Sequence, residues 1–166
     1  MIQDSGTRRE FDTGAVRDIQ EGKGRCDLLP LDVIADIYSG DTYCQLMGIY
    51  KFTQDGNVGW LYEVIAATRP KFDTYSTMFL EVAKHFEEGA KKYGEYNWQK
   101  GIPAHCYIDS AVRHLFKWLR SDDDEPHHRA FVWNVLCCIF TCKHKPELND
   151  YLKGENHANC GNKSEH

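Results

Sequence analysis

Three stretches in the second half of the chain place apolar residues at helical spacing. From about Ser76 to Tyr93, Phe79, Val82, Ala83, Phe86 and Ala90 fall on one face, while Glu81, His85, Glu88 and Lys92 line the other, which predicts an amphipathic helix. Ala104 to Leu119 repeats the arrangement with Ile108, Ala111, Val112, Leu115 and Leu119, and Pro103 stands just ahead of its first turn. Pro126 to Cys142 is apolar nearly all round, and such a helix belongs in the interior. Upstream, a short helix is expected from Leu31 to Tyr38 behind Pro30. Gln45 to Phe52 and Val58 to Ile65 are rich in aromatic and branched residues and flank Gln54-Asp55-Gly56-Asn57. The Asp-Gly step favours positive φ, so this region predicts a β-hairpin inserted at about residues 44–67. Residues 153–166 are too poor in apolar side chains to offset their own ordering entropy and predict a mobile polar tail. The expected fold is mainly α: a small helical bundle with an inserted β-hairpin, in one domain over residues 1–152.

Composition narrows the function classes. A chain of 166 residues with 42% hydrophobic and 27% charged residues has the length and apolar content for one compact core. The net charge of -5 argues against a nucleic acid polymer as partner. No apolar run reaches the roughly 18 to 20 residues of a membrane span, and Met1 to Glu10 is polar, so a soluble, cytoplasmic protein without a membrane partner is expected. The seven cysteines are odd in number and include the adjacent Cys137 and Cys138 in an apolar run, which predicts reduced thiols.

Several side chains could carry chemistry. Glu87-Glu88 on the first of the three helices and Asp109 on the second are the candidate acids, and Glu87 and Asp109 each lie on the rim of an apolar stripe. Rim carboxylates from two packed helices can converge on one hard divalent cation, or they can simply be solvated charges. Asp109 and Arg113 have the spacing of a surface ion pair, and His114 points about 140° away from Asp109. His127 and Asn134 share a face of the third helix, where Asn134 is either a structural crosslink or a base-recognising group. Gly22-Lys23-Gly24-Arg25 joins flexible backbone to two cations, a combination suited to phosphate oxygens, although the spacing is not that of a Walker loop. Lys91-Lys92 adds cations, and Asn97-Trp98 adds an amide and an indole able to stack on a base or to anchor the core. Cys142, His144, His157 and Cys160 are nominally enough for zinc at an atypical spacing. Asp122-Asp123-Asp124-Glu125 reads as an exposed turn favouring the start of the third helix.

Taken in order, several motifs resemble the phage dATP/dGTP diphosphohydrolase family. They are Thr13-Gly14-Ala15 with Arg17-Asp18, Gly22-Lys23-Gly24-Arg25 to Pro30, Gly89 to Gly94 with Asn97-Trp98, Asp109-Ser110 with Arg113-His114-Leu115, and Trp133-Asn134. The resemblance implies an all-α, MazG-like homo-oligomer that converts dGTP or a related purine deoxynucleoside triphosphate to the monophosphate and pyrophosphate with Mg2+ or Mn2+. It implies catalytic roles for Glu88 and Asp109 and a metal shell of Glu87, Glu88, Asp109 and His127. Arg17, Lys23, Arg25, Lys92, Asn97, Trp98, Arg113, His114 and Asn134 would then bind substrate. MazG-like enzymes typically carry Glu-Glu-x-x-Glu and a later Glu-x-x-Asp, whereas this chain has Glu87-Glu88-x-x-Lys91 and Cys106-x-x-Asp109. The closer family often shows Glu-Asp-His-Leu where Glu125-Pro126-His127-His128 stands here. The missing acids motivate a second expectation, a module that sequesters a nucleotide without turning it over.

Overall fold

The computed structural model describes residues 7–152. The expected tail at 153–166, with His157 and Cys160 of the zinc reading, lies outside the described residues. The fold is mainly α, and its helices are α1 (Leu31–Ala35), α2 (Gly40–Asp55), α3 (Gly59–Thr68), α4 (Tyr75–Tyr93), α5 (Ala104–Leu119) and α6 (His127–His144). Two short strands, β1 (Arg8–Glu10) and β2 (Val16–Asp18), pair antiparallel with Arg8 opposite Asp18.

The hairpin is therefore present but not where the sequence pattern put it. Residues 44–67 form α2 and α3, joined at Gly56, whose φ of 69° and N–H bond to Phe52 O (2.7 Å) make it the left-handed cap of α2. The positive φ that suits Asp-Gly to a hairpin suits it equally to a helix end. Packing decides between them. Leu61, Val64, Ile65 and Thr68 are buried at helical offsets, and α3 crosses α2 closely at Gly48, where a β-carbon would lie 2.6 Å from Val64 Cγ2. Inside this contact Gln45 Nε2 donates to Thr68 Oγ1 at 3.0 Å, so the buried amide of α2 is satisfied by α3. Gly56 also abuts the C-terminal segment, since a β-carbon there would meet Leu152 N at 2.7 Å. Gly56→Ala is expected to cost about 2 kcal/mol or more, from left-handed strain and displaced backbone together, read as a lowered urea midpoint with unchanged slope.

The long helices follow the sequence pattern within a residue or two. Thr74 caps α4 by accepting the Thr77 N–H at 3.1 Å, and Gly94 ends it. α6 is the central element, with Phe131, Val132, Val135 and Cys138 fully buried against α5, α4 and α3. No disulfide links the described cysteines. Among the described residues no helix is long and apolar enough to cross a membrane.

Candidate functional site

Between the N-terminal hairpin and helices α4, α5 and α6 lies a cavity of about 620 Å³, within the usual range for small-molecule sites. Its α5 wall is Cys106, Asp109, Ser110, Arg113, His114 and Lys117. At about 100° per residue these span some 140° of the helix surface. Asp109 and His114 thus stand at the two margins of one wall, although their angular separation alone suggested separate sites. The α4 wall includes His85, Phe86, Ala90 and Tyr93, and Trp133 and Asn134 of α6 complete the inner surface.

The remaining wall is the N-terminal segment, held by three tethers. Asn97 accepts the Val16 N–H at 2.9 Å and donates to Val16 O at 2.8 Å, so its amide extends the strand rather than reaching for a ligand. Arg17 donates to Cys106 O at 3.1 Å and to Asn134 Oδ1 at 2.5 Å, and its guanidinium lies 5.1 Å from the centre of the Tyr107 ring. Asn134 in turn donates to Ala130 O at 2.8 Å, which makes it a structural crosslink, one of the two roles open to it in the sequence. Arg113 donates to the carbonyls of Lys23 (3.3 Å) and Gly24 (2.9 Å) and pairs with Asp109, whose other oxygen accepts the Cys26 N–H at 2.6 Å. Gly22 and Gly24, with φ of 77° and 78°, flank Lys23, and its side chain joins the cavity wall.

The cations cluster here. Burial, reinforced by Arg113, Lys92 and Arg17, lowers the pKa of Lys23 from its ordinary value, and Asp18 opposes the shift. Lys92 bridges α4 to the hairpin through Asp18 at 2.8 Å, both side chains being largely buried. Arg25 does not share this surface. It is exposed and forms a two-bond pair with Asp27 (2.7 and 2.5 Å), because Gly24 turns the chain away after Lys23. Trp98 lines the cavity but packs edge-on against Phe86 and Phe140 at 5.3 and 4.7 Å, so it is also a core anchor.

The acids expected to share a cation are not assembled as a ligand set. Glu87 is exposed at the cavity mouth and pairs with Lys91 along the helix. Glu88 faces Arg129 of α6 at 3.8 Å. Asp109 has both oxygens engaged by Arg113 and the Cys26 N–H. These three therefore do not fit a shared Mg2+ or Mn2+ site, since each faces a different partner and Asp109 already neutralises a guanidinium.

His127 belongs to a different group. Its Nδ1 lies 3.0 Å from His114 Nδ1, Glu125 Oε1 stands 3.3 Å from His114 Nδ1 and 3.6 Å from His127 Nδ1, and His127 Nε2 meets Asp124 Oδ1 at 2.7 Å. Lys117 holds the other oxygen of Asp124 at 2.9 Å. Burial pushes the Glu125 carboxyl up, and burial with the adjacent His127 drives His114 well below the ordinary histidine value, favouring its neutral form. Glu125 was hidden in the sequence because it ends a run of acids that reads as solvated. Its signal was the position two residues before a histidine opening an apolar helix. His85 falls on the polar face of the helical pattern, yet it is buried against Trp133, and burial lowers its pKa to about 4.

Among protein-family models, the one described as dATP/dGTP diphosphohydrolase, N-terminal, matches residues 66–151. No curated protein and no solved structure matches the chain. The matched span holds α4, α5 and α6, hence three walls of the cavity, while the hairpin and the Lys23 loop lie outside it. Half of the sequence, including most of the site, thus fits a single family, and the chain belongs to the dATP/dGTP diphosphohydrolases.

Proposed function

We propose that the cavity binds a purine deoxynucleoside triphosphate, dGTP foremost, as its magnesium or manganese complex and hydrolyses it to the monophosphate and pyrophosphate. The observation that carries this reading is the pairing of a cation cluster with an aromatic wall in one cavity. Lys23, Arg17 and Arg113 line it together with Phe86, Tyr93, Trp98 and Trp133, and the Arg17 guanidinium lies 5.8 Å from the centre of the Trp133 ring. Phosphates require the cations and a base the aromatic rings. Arg17 and Arg113 are already fastened to protein acceptors, so they meet developing phosphate charge with little reorganisation.

In the reaction, water adds to the α-phosphorus and the bond from that phosphorus to the bridging oxygen breaks. Pyrophosphate leaves with the bridging oxygen, and the monophosphate keeps the oxygen of water. The cations balance charge on the departing pyrophosphate, and the aromatic wall orients the base. Phosphorus NMR of the full chain with dGTP in heavy-oxygen water, with magnesium or manganese present, tests this. dGMP and pyrophosphate are expected, with the heavy label in the monophosphate. Recovery of intact nucleotide, or release of inorganic phosphate, would overturn the reading.

A further inference from the structure

From their convergence at the cavity wall, we infer that His114, Glu125 and His127 form a three-ligand centre for a divalent transition metal, with Asp124 as its outer support. This deepens the proposed function, on which its catalytic relevance rests, by giving that cavity a metal seat other than Glu87, Glu88 and Asp109.

Geometry is the first argument. Ligand atoms about 2.1 Å from one metal stand about 3.0 Å apart in an octahedral shell and about 3.4 Å apart in a tetrahedral one. The three separations here are 3.0, 3.3 and 3.6 Å. Two imidazole nitrogens and a carboxylate oxygen thus already stand near the spacing of a coordination triangle, contributed by α5, the α5–α6 connection and the first residue of α6.

Tautomer chemistry is the second. His127 is 2% exposed, and its Nε2–H donates to the Asp124 carboxylate, which Lys117 fixes from the far side. In the neutral ring the Nδ1 lone pair then points toward His114 and Glu125, the carboxylate–histidine arrangement that commonly orients a metal-bound imidazole. Two Nδ1 atoms facing each other at 3.0 Å share one proton at most, so at least one of them presents a lone pair there. A metal satisfies both nitrogens and Glu125 Oε1 together.

Access is the third. His114, Asp124 and Glu125 line the cavity, so further coordination positions open toward the space assigned to the triphosphate. Two imidazoles and one carboxylate favour manganese, iron, cobalt or zinc over magnesium, which prefers all-oxygen shells.

The test is titration of the metal-stripped full chain with Co2+, followed by visible absorption, without nucleotide. One saturable equivalent is expected, displaced by Zn2+ but not by a tenfold excess of Mg2+, and without the near-ultraviolet thiolate band that cysteine ligation gives. His114→Ala and Glu125→Gln should each weaken the first equivalent at least tenfold. Asp124→Asn, which removes only the outer support, should weaken it about tenfold. Circular dichroism identifies any variant that fails to fold, and Glu125→Gln, lying outside the helices, keeps the test decisive if His114→Ala is lost. No stoichiometric binding, a thiolate band at the first equivalent, or unchanged affinity in folded Glu125→Gln would overturn the site. The proposed activity fails separately: a chain that binds Co2+ through these residues yet leaves dGTP intact keeps the metal centre and loses the hydrolase.

Discussion

Asp109→Ala is expected to destabilise the protein by about 3–5 kcal/mol, the cost typical of removing one partner from a buried ion pair. Asp109 is 2% exposed, and its carboxylate answers both the Arg113 guanidinium and the Cys26 N–H. Without it, a largely buried cation and a backbone donor lose their acceptor together. The damage spreads along the chain because Arg113 also holds the Lys23 and Gly24 carbonyls, so one substitution loosens both ends of the loop that carries Lys23. Asp109→Asn is not a mild alternative. Its oxygen can still accept from Cys26, but its amide then presents N–H groups to a guanidinium that has only donors. Urea unfolding with and without manganese checks the assignment. Equal losses in both conditions are expected of a structural ion pair. A variant that unfolds like the parent without metal and lacks only metal-dependent stabilisation would instead make Asp109 a ligand.

That pair shows where sequence reading reached and where it stopped. The spacing of Asp109 and Arg113 already contained the ion pair, but spacing alone does not say that the pair is buried or that it clamps a loop more than eighty positions away in the chain. α4, α5 and α6 were legible because each has a continuous run whose period is unambiguous or whose apolar content is nearly complete. α2 and α3 were not, because branched and aromatic residues with an Asp-Gly step satisfy a strand template too. The deciding fact, burial of Leu61, Val64, Ile65 and Thr68 on one face, is a packing outcome. The N-terminal hairpin has strands of three residues, and β1 is fully exposed, so no alternation marks it. In the site, glycines flanking Lys23 signalled a cation on special backbone. Of the imidazole and carboxylate group, His127 and His114 were legible as site residues, but their convergence with Glu125 was not, because the members come from two helices and the bend between them, and Pro126 and a run of acids make that bend look solvated.

Lys23→Met is expected to weaken binding of a non-hydrolysable dGTP analogue about 10- to 100-fold, the range for losing one charge-assisted phosphate contact of about 1.5–3 kcal/mol. Lys23 is singled out because Arg113, Arg17 and Lys92 all make visible bonds to protein acceptors, whereas the Lys23 side chain enters the cavity wall from a loop held by its carbonyl. The pH dependence has a definite sign. Burial and neighbouring cations lower the Lys23 pKa in the free protein, and a triphosphate placed beside it favours the charged form. Binding therefore draws a proton onto Lys23 at alkaline pH, and affinity falls as pH rises through the depressed value, starting below the 10.5 of an ordinary lysine. Lys23→Arg keeps its charge throughout, so its affinity should stay flat where the parent's declines. Calorimetric titrations at fixed ionic strength from about pH 7 to about pH 10 separate the cases. An unchanged affinity in Lys23→Met would move the phosphates elsewhere. A decline shared by parent and Lys23→Arg would assign the titration to a different group, because an arginine has no proton to lose in that window.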